Sequence, residues 1–162
     1  MRILGVDPGL NITGYGVIDT NKQKFSLITA GTITTKTSQP FPKRLEILYT
    51  NMSDIIEEYS PDIFAIEETF VNINARSSLL LGHARGALIL SAQILEIPIY
   101  EYATRLIKKS ITGNGASTKG QVKYMVEKLL NTKNIPKSLD ISDALATAIT
   151  FFNQHKFKEL IK

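Results

Sequence analysis

The feature that most limits how this chain can fold lies in its first nine residues. Ile3-Leu-Gly-Val6 is a short apolar run that stops at an acid, Asp7, and Pro8-Gly9 follows at once. Such a run suits a strand covered on both faces. Pro8 bars Asp7 from helical geometry, and Pro-Gly suits the two central positions of a type II turn. A carboxylate is thereby held extended at the carboxyl end of a central strand, where open α/β sheets receive their ligands. An aspartate there commonly does no more than bond its own turn, so the rest of the chain must decide.

Gly14-Tyr-Gly-Val-Ile18 and Phe25 to Thr34 predict two further strands, joined by the polar turn Asp19–Lys24. From Lys43 to Tyr59, apolar residues at Leu45, Leu48, Tyr49, Met52, Ile55, Ile56 and Tyr59 keep helical spacing, and Pro61 ends it. Ile63-Phe-Ala-Ile66 predicts another buried strand. A helix over about Ala75–Leu95, a strand at Ile97–Tyr102, a helix capped by Ser117 and running to Leu130, and a last helix over Ser138–Asn153 follow. Strands and helices alternate after an antiparallel start, which is the α/β class with a mixed sheet. A chain of 162 residues fits one domain, 1–162, with a loose tail expected after 153.

Composition narrows the chemistry. With 43% hydrophobic and 21% charged residues the chain can bury a core. The absence of cysteine removes disulfides, thiolate nucleophiles and zinc fingers, and two distant histidines, His83 and His155, exclude a histidine-rich metal site. There is no Gly-x-Ser-x-Gly elbow, and Gly113-Asn-Gly-Ala-Ser-Thr-Lys119 fits neither a P-loop nor a dinucleotide fingerprint; it reads as a flexible loop. A net charge of +4 leans mildly toward polyanions and is equally compatible with an ordinary basic surface. The N-terminus turns acidic and glycine-rich before an export signal forms, so a cytoplasmic protein is expected.

The segment Ala75–Leu95 is apolar nearly all round, Arg85 being the only formal charge between Ser77 and Leu95. His83, Arg85, Ser91 and Gln93 interrupt it too often for a membrane span. It is expected to pack on a second subunit, with Gly82-x-x-x-Gly86 allowing close approach.

Other acids stand in similarly awkward places. Glu67 and Glu68 end the strand Ile63–Ile66; neighbouring strand residues point to opposite faces, so only one can join Asp7. Asp140 and Asp143 lie three apart at the start of the last helix, on one face, with Thr147 and Thr150 continuing a polar stripe. Taken alone, that pair is ordinary helix-start capping. Brought together, the acids change meaning: two carboxylates about 4 Å apart repel by roughly 4 kcal/mol at an effective dielectric of 20. Protonation or a divalent cation relieves this, and an all-oxygen ligand set selects Mg²⁺ or Mn²⁺. Two such ions about 3.5–4 Å apart suit phosphodiester cleavage. Lys108, Lys109, Lys119 and Lys123, with Arg76, Arg85 and Arg105, supply a candidate phosphate track.

Gly5-Val-Asp-Pro-Gly9 with Thr13-Gly-Tyr-Gly-Val17, Phe64-Ala-Ile-Glu67, Leu81-Gly-His-Ala-Arg-Gly86, Glu101-Tyr-Ala103 and Asp140-Ile-Ser-Asp-Ala-Leu-Ala146 together resemble the RuvC family of bacterial Holliday-junction resolvases, in order over about residues 1–152. The resemblance implies a ribonuclease-H-like fold, a mixed five-stranded sheet flanked by helices. It also implies an endonuclease that nicks four-way DNA junctions symmetrically as a homodimer, through two Mg²⁺ or Mn²⁺ ions, in recombination and repair. The family's four catalytic and metal-binding acids fall on Asp7, Glu67, Asp140 and Asp143. Glu68 departs from relatives with an uncharged residue there. The family's basic residues match Lys108 and Lys119, its junction-side aromatic matches Phe70, and Arg76 joins them as a DNA contact. The helix 75–95 corresponds to the family's dimer contact, and the RuvA–RuvB branch-migration machinery is the implied partner. Two rivals remain: an actin-like ATPase, which uses two such domains around a nucleotide, and a non-catalytic junction-binding module, which has no need for four acids.

Overall fold

The computed structural model describes residues 1–21, 24–68, 74–132, 135–136 and 138–160, with side chains up to His155. Its elements, in chain order, are β1 (Arg2–Asp7), β2 (Ile12–Asn21), β3 (Lys24–Thr34), α1 (Phe41–Tyr59), β4 (Ile63–Glu68), α2 (Ala75–Ile94), β5 (Ile99–Ala103), α3 (Thr104–Thr112), α4 (Lys119–Leu129) and α5 (Leu139–Leu160). The strands form one mixed sheet in the order β3-β2-β1-β4-β5. β1 pairs antiparallel with β2 and parallel with β4, and β4 pairs parallel with β5. The apolar strand that ends in Asp7 is therefore central, as its composition requires.

Residue alternation along the strands divides the core into two layers. Leu4, Val6, Phe64 and Ile66 pack with Leu48, Met52, Ala84 and Leu88 of α1 and α2. Ile3, Ala65 and Tyr102 pack with Ile107, Val126, Leu145 and Ile149 of α3, α4 and α5. Asp7 and Glu67 continue the second set, two residues beyond Gly5 and Ala65, so both belong to the α5 face.

Three glycines let α5 lie flat on that face. A Cβ on Gly5 would stand 2.1 Å from the Ala144 carbonyl oxygen, one on Gly14 would stand 2.1 Å from that of Asp140, and one on Gly16 would meet Leu145 Cδ2 at 2.4 Å. Gly5 is opposite Gly16 and Asp7 is opposite Gly14, so the three form a trough across β1 and β2. Side chains there would lift the helix away from the sheet.

The structure departs from the sequence reading in several places. Gly113 is the only glycine with positive φ among the described residues, so Pro8-Gly9 is not a type II turn. Gly9 is needed because a Cβ would stand 2.1 Å from the Ile12 carbonyl oxygen, and the bend is fastened by Thr13 Oγ1, which donates to the Gly9 carbonyl at 2.7 Å. The helix Thr104–Thr112, nine residues long, is absent from the sequence reading although Ile107 and Ile111 keep helical spacing on its buried side. α4 is capped by Thr118 in a capping box with Gln121, not by Ser117. Ser117 is instead buried and hydrogen-bonded to Thr112 at 2.7 Å, and Asn114 Oδ1 accepts from Ala116 N at 3.0 Å, which ties the expected flexible loop to itself. Thr147 and Thr150 do not extend a polar stripe: both are fully buried and donate to the carbonyls of Asp143 and Ala146 one turn back. The backbone of α5 is helical to Leu160, beyond the expected end at Asn153, and no glycine or proline occurs there to stop it.

Candidate active site

The carboxyl ends of β1 and β4 lie side by side, since Val6 pairs with Ile66 and each strand ends one or two residues later. Asp7 and Glu67 thus emerge together on the α5 face. Gly14, opposite Asp7, touches the backbone of Asp140, which brings the first turn of α5 over the same strand ends. Asp143, one turn on, completes the group. All four acids predicted from the sequence are gathered here, each half-buried.

Their electrostatics show how close they are. Burial pushes the Asp7 carboxyl up to about 8; the charges of Glu67, Asp143 and, more weakly, Asp140 add to this, and Lys119 opposes it. Burial also raises Glu67 above the ordinary carboxylate range, with Asp143 adding to it, against a hydrogen bond from Thr104 and the charges of Lys119 and Lys108. Lys119 Nζ sits 2.7 Å from Asp143 Oδ2, and that bond raises the lysine above its usual value. The two lysines named from the sequence therefore both face the acids.

Each of three carboxylates has a partner of its own. Thr104 Oγ1 donates to Glu67 Oε1, Ser138 Oγ donates to Asp140 Oδ2 at 2.8 Å, and Lys119 holds Asp143. With the side chains so engaged, no three acidic or histidine groups among the described residues stand at metal-cage spacing. The donor set nevertheless suits a hard divalent cation: it is all oxygen, it is partly desolvated, and the charge of Asp7 is unfavourable there unless a proton or a cation offsets it.

Glu68 points to the other face, toward α2, where its charge supports that of Arg85. The choice between Glu67 and Glu68 that alternation left open is thus settled by strand register. Arg76 is exposed in the first turn of α2, and Phe70 lies outside the described residues.

Two supporting residues went unremarked in the sequence. Thr104, first residue of α3, reaches Glu67 across 37 positions of chain. Arg44, with 8% of its surface exposed, donates to Thr35 Oγ1 at 2.8 Å and to Asn11 Oδ1. Thr35 in turn donates to the Leu10 carbonyl at 2.6 Å, so this buried guanidinium steadies the bend that follows Asp7. An arginine inside an otherwise apolar helix stripe is a detectable signal for such a role.

α2 buries Ala84, Leu88, Ser91 and Ala92 and leaves Leu79, Leu90 and Ile94 exposed. Gly82 and Gly86 have open space above them, and with Ala75, Ser78, Leu79 and His83 they line a shallow apolar depression. No helix among the described residues is long and apolar enough to cross a membrane.

Known proteins share both the sequence and the fold of this chain. The family model described as crossover junction endodeoxyribonuclease RuvC matches residues 3–151. The chain is 43% identical over 162 residues to the RuvC of Alkaliphilus oremlandii, covering 100% of this chain and 99% of that one. It is 45% identical over 149 residues to the RuvC of Desulforamulus reducens, covering 92% and 91% respectively. Among solved structures it is similar to Thermus thermophilus RuvC in complex with Holliday junction substrate, at a TM-score of 0.92 and 26% identity over 98% of this chain and 96% of that one. Yeast mitochondrial Holliday junction resolvase Ydc2 shares the fold at a TM-score of 0.70, with 14% identity over 97% and 80%.

Proposed function

The chain belongs to the RuvC family of crossover junction endodeoxyribonucleases, and on that premise we propose that it resolves four-way DNA junctions by hydrolysing one phosphodiester bond in each of two strands. The observation that carries the reading is Asp7, a half-buried carboxyl raised to about 8 among three other acids at the end of a central strand. That concentration of acids beside a DNA phosphate calls for a proton on Asp7 or a bound cation, and phosphodiester hydrolysis would use the cation.

Asp7, Glu67, Asp140 and Asp143 would hold the cation, taken to be two Mg²⁺ ions with Mn²⁺ as a substitute. When bound, such ions supply charge neutralisation at the phosphate and a lowered pKa for the attacking water. Asp7, at the end of the central strand, feels the charges of all three other acids and would be the shared member of the donor set. Thr104 keeps the Glu67 carboxylate turned toward the cluster and partly offsets the rise in its pKa. Lys119 and Lys108 provide positive charge beside the acids and suit the nonbridging oxygens of a bound phosphate. Water attacks phosphorus, the 3′-oxygen departs and takes up a proton, and the products are a 3′-hydroxyl and a 5′-phosphate that ligase can rejoin.

Symmetric nicking calls for two copies. The exposed apolar stripe of α2, with glycines at its centre, suits a homodimer contact over residues 75–95. Phe70 and Arg76 would then flank the DNA, and the RuvA–RuvB complex would deliver the junction.

The test is cleavage of a synthetic mobile four-way junction in Mg²⁺ against EDTA, with linear duplex of the same sequence as control. Paired Mg²⁺-dependent nicks on the junction alone are expected, and Asp7→Asn should bind the junction without cutting it. An active Asp7→Asn chain would overturn the mechanism.

A further inference from the structure

Arg85 occupies an unusual position on α2. It is the only formal charge between Ser77 and Leu95, and its side chain is 19% exposed, on the flank between the buried stripe and the open one. Its Nε donates to the main-chain carbonyl of Glu67 at 3.2 Å, and its Nη2 pairs with the Glu101 carboxylate of β5. Glu68, on the same face, adds its charge. One guanidinium thus gathers β4, β5 and α2 at the level of Glu67.

The location matters because the ladder between β1 and β4 ends at Ile66. The Glu67 peptide lies one residue past that pairing, kept in the sheet from one side only, by Tyr102 of β5. Thr104 holds the Glu67 side chain from α3, and Arg85 holds its main chain from α2. A carboxylate fixed at both ends presents its free oxygen in one direction. Without the arginine the Glu67 peptide is held from the β5 side alone, and the carboxylate it carries is less firmly aimed.

We propose that Arg85 is a positioning residue for the phosphodiesterase reaction, fixing the Glu67 peptide so that the Glu67 carboxylate meets the cation in ligating geometry. The inference rests on the nuclease reading above. Arg85 touches neither the phosphate nor the ion; it acts through Glu67. Lysine replaces its charge but not its fork, because an ammonium cannot reach the carbonyl and the Glu101 carboxylate in the same planar arrangement. The outer face of the same helix is the one assigned to the subunit contact, so the tie runs from the dimer helix to the catalytic strand.

The experiment uses the full chain with Arg85→Gln and Arg85→Lys. Single-turnover junction cleavage at saturating protein is measured with junction affinity in EDTA, subunit mass in solution, thermal melting, and Mn²⁺ binding by calorimetry without DNA. Loss of an outer residue that orients a metal ligand typically costs about 10–100-fold in metal affinity or rate. Arg85→Gln is expected to lose about that much in both Mn²⁺ affinity and cleavage rate, with junction affinity and dimer mass unchanged. Arg85→Lys should recover part of each. If Arg85→Gln melts below the assay temperature, Arg85→Lys carries the test with the same two readouts. Wild-type Mn²⁺ affinity and rate in either folded variant would overturn the proposal, as would a loss confined to junction binding or dimer mass. A wild-type chain that does not cut the junction would instead overturn the nuclease reading.

Discussion

Replacing Asp7 by asparagine keeps the shape of the side chain and removes its charge, so it isolates the electrostatic cost of the site. The folded Asp7 carboxyl has its pKa raised from 3.8 to about 8, chiefly by burial. A group whose folded value is raised contributes its full stability below the unfolded value and loses it as pH climbs toward the folded one. For Asp7 the loss begins near pH 4 and is complete near pH 8. At pH 7 the solution lies about three units above the ordinary aspartate value, and at about 1.4 kcal/mol per unit the folded state gives up about 4 kcal/mol. Asparagine does not titrate and avoids this term. Without divalent ions, Asp7→Asn is expected to be more stable than wild type by about 2–4 kcal/mol at pH 7, the gap closing toward pH 4. The chain has no tryptophan, so urea unfolding is followed by far-ultraviolet circular dichroism in EDTA, at fixed protein concentration from pH 4 to 8. Adding Mg²⁺ should raise wild type toward the variant and leave the variant nearly unmoved. An Asp7→Asn chain less stable than wild type at pH 7, or a gap that does not change with pH, would refute the reasoning.

Gly14→Ala places a Cβ 2.1 Å from the Asp140 carbonyl oxygen, so α5 must shift; a loss of about 3 kcal/mol in unfolding free energy and of junction cleavage is expected, read by denaturation and gel assay. Gly82→Ala meets nothing within 4 Å and should stabilise the isolated helix by up to about 1 kcal/mol while weakening the dimer, which sedimentation at graded concentration would detect. Thr104→Val removes the hydrogen bond that holds Glu67 down, so the Glu67 carboxyl rises further. The acid limb of the pH–rate profile should then move to higher pH, and an unmoved limb would count against Glu67 as an ionised participant.

How far the sequence could be read depends on which interactions are local. Asp7, Asp140 and Asp143 were legible because a strand end and a helix start are visible in the hydrophobic pattern. Glu67 was not separable from Glu68 on pattern alone, because alternation assigns faces only relative to a partner. The Val6–Ile66 register supplies that partner. The partners of Thr104 and Arg44 are hidden for the same reason: their bonds span 37 positions to Glu67 and 33 to Asn11, so even though Arg44 stands out in its apolar stripe, nothing near it names what it holds. The glycines illustrate a subtler limit. Gly5, Gly14 and Gly16 were noticed as motif letters and strand residues, yet their use as a trough for α5 appears only when the helix is laid across both strands. The reading of Pro8-Gly9 failed through a local competitor, since the close approach of Ile12 and the Thr13 hydroxyl override the usual turn preference.

The same trough explains why the acids must be balanced from outside the helix. Laying α5 against Gly14 delivers its N-terminal turn to Asp7, and a helix N-terminus favours negative charge by about 0.3–1 kcal/mol, up to about 2 when partly buried. That is well short of the roughly 4 kcal/mol that Asp7 alone gives up at pH 7. Lys119 narrows the difference, but its side chain is 55% exposed and its bond is committed to Asp143, so screening limits its effect on Asp7. The helix dipole and the lysine are therefore too weak to keep Asp7 ionised beside the other acids. What remains is a proton on Asp7 or a multivalent cation among the acids. Only the second leaves Asp7 charged at neutral pH, which ties the ionisation of this carboxyl to occupation of the cluster by a cation.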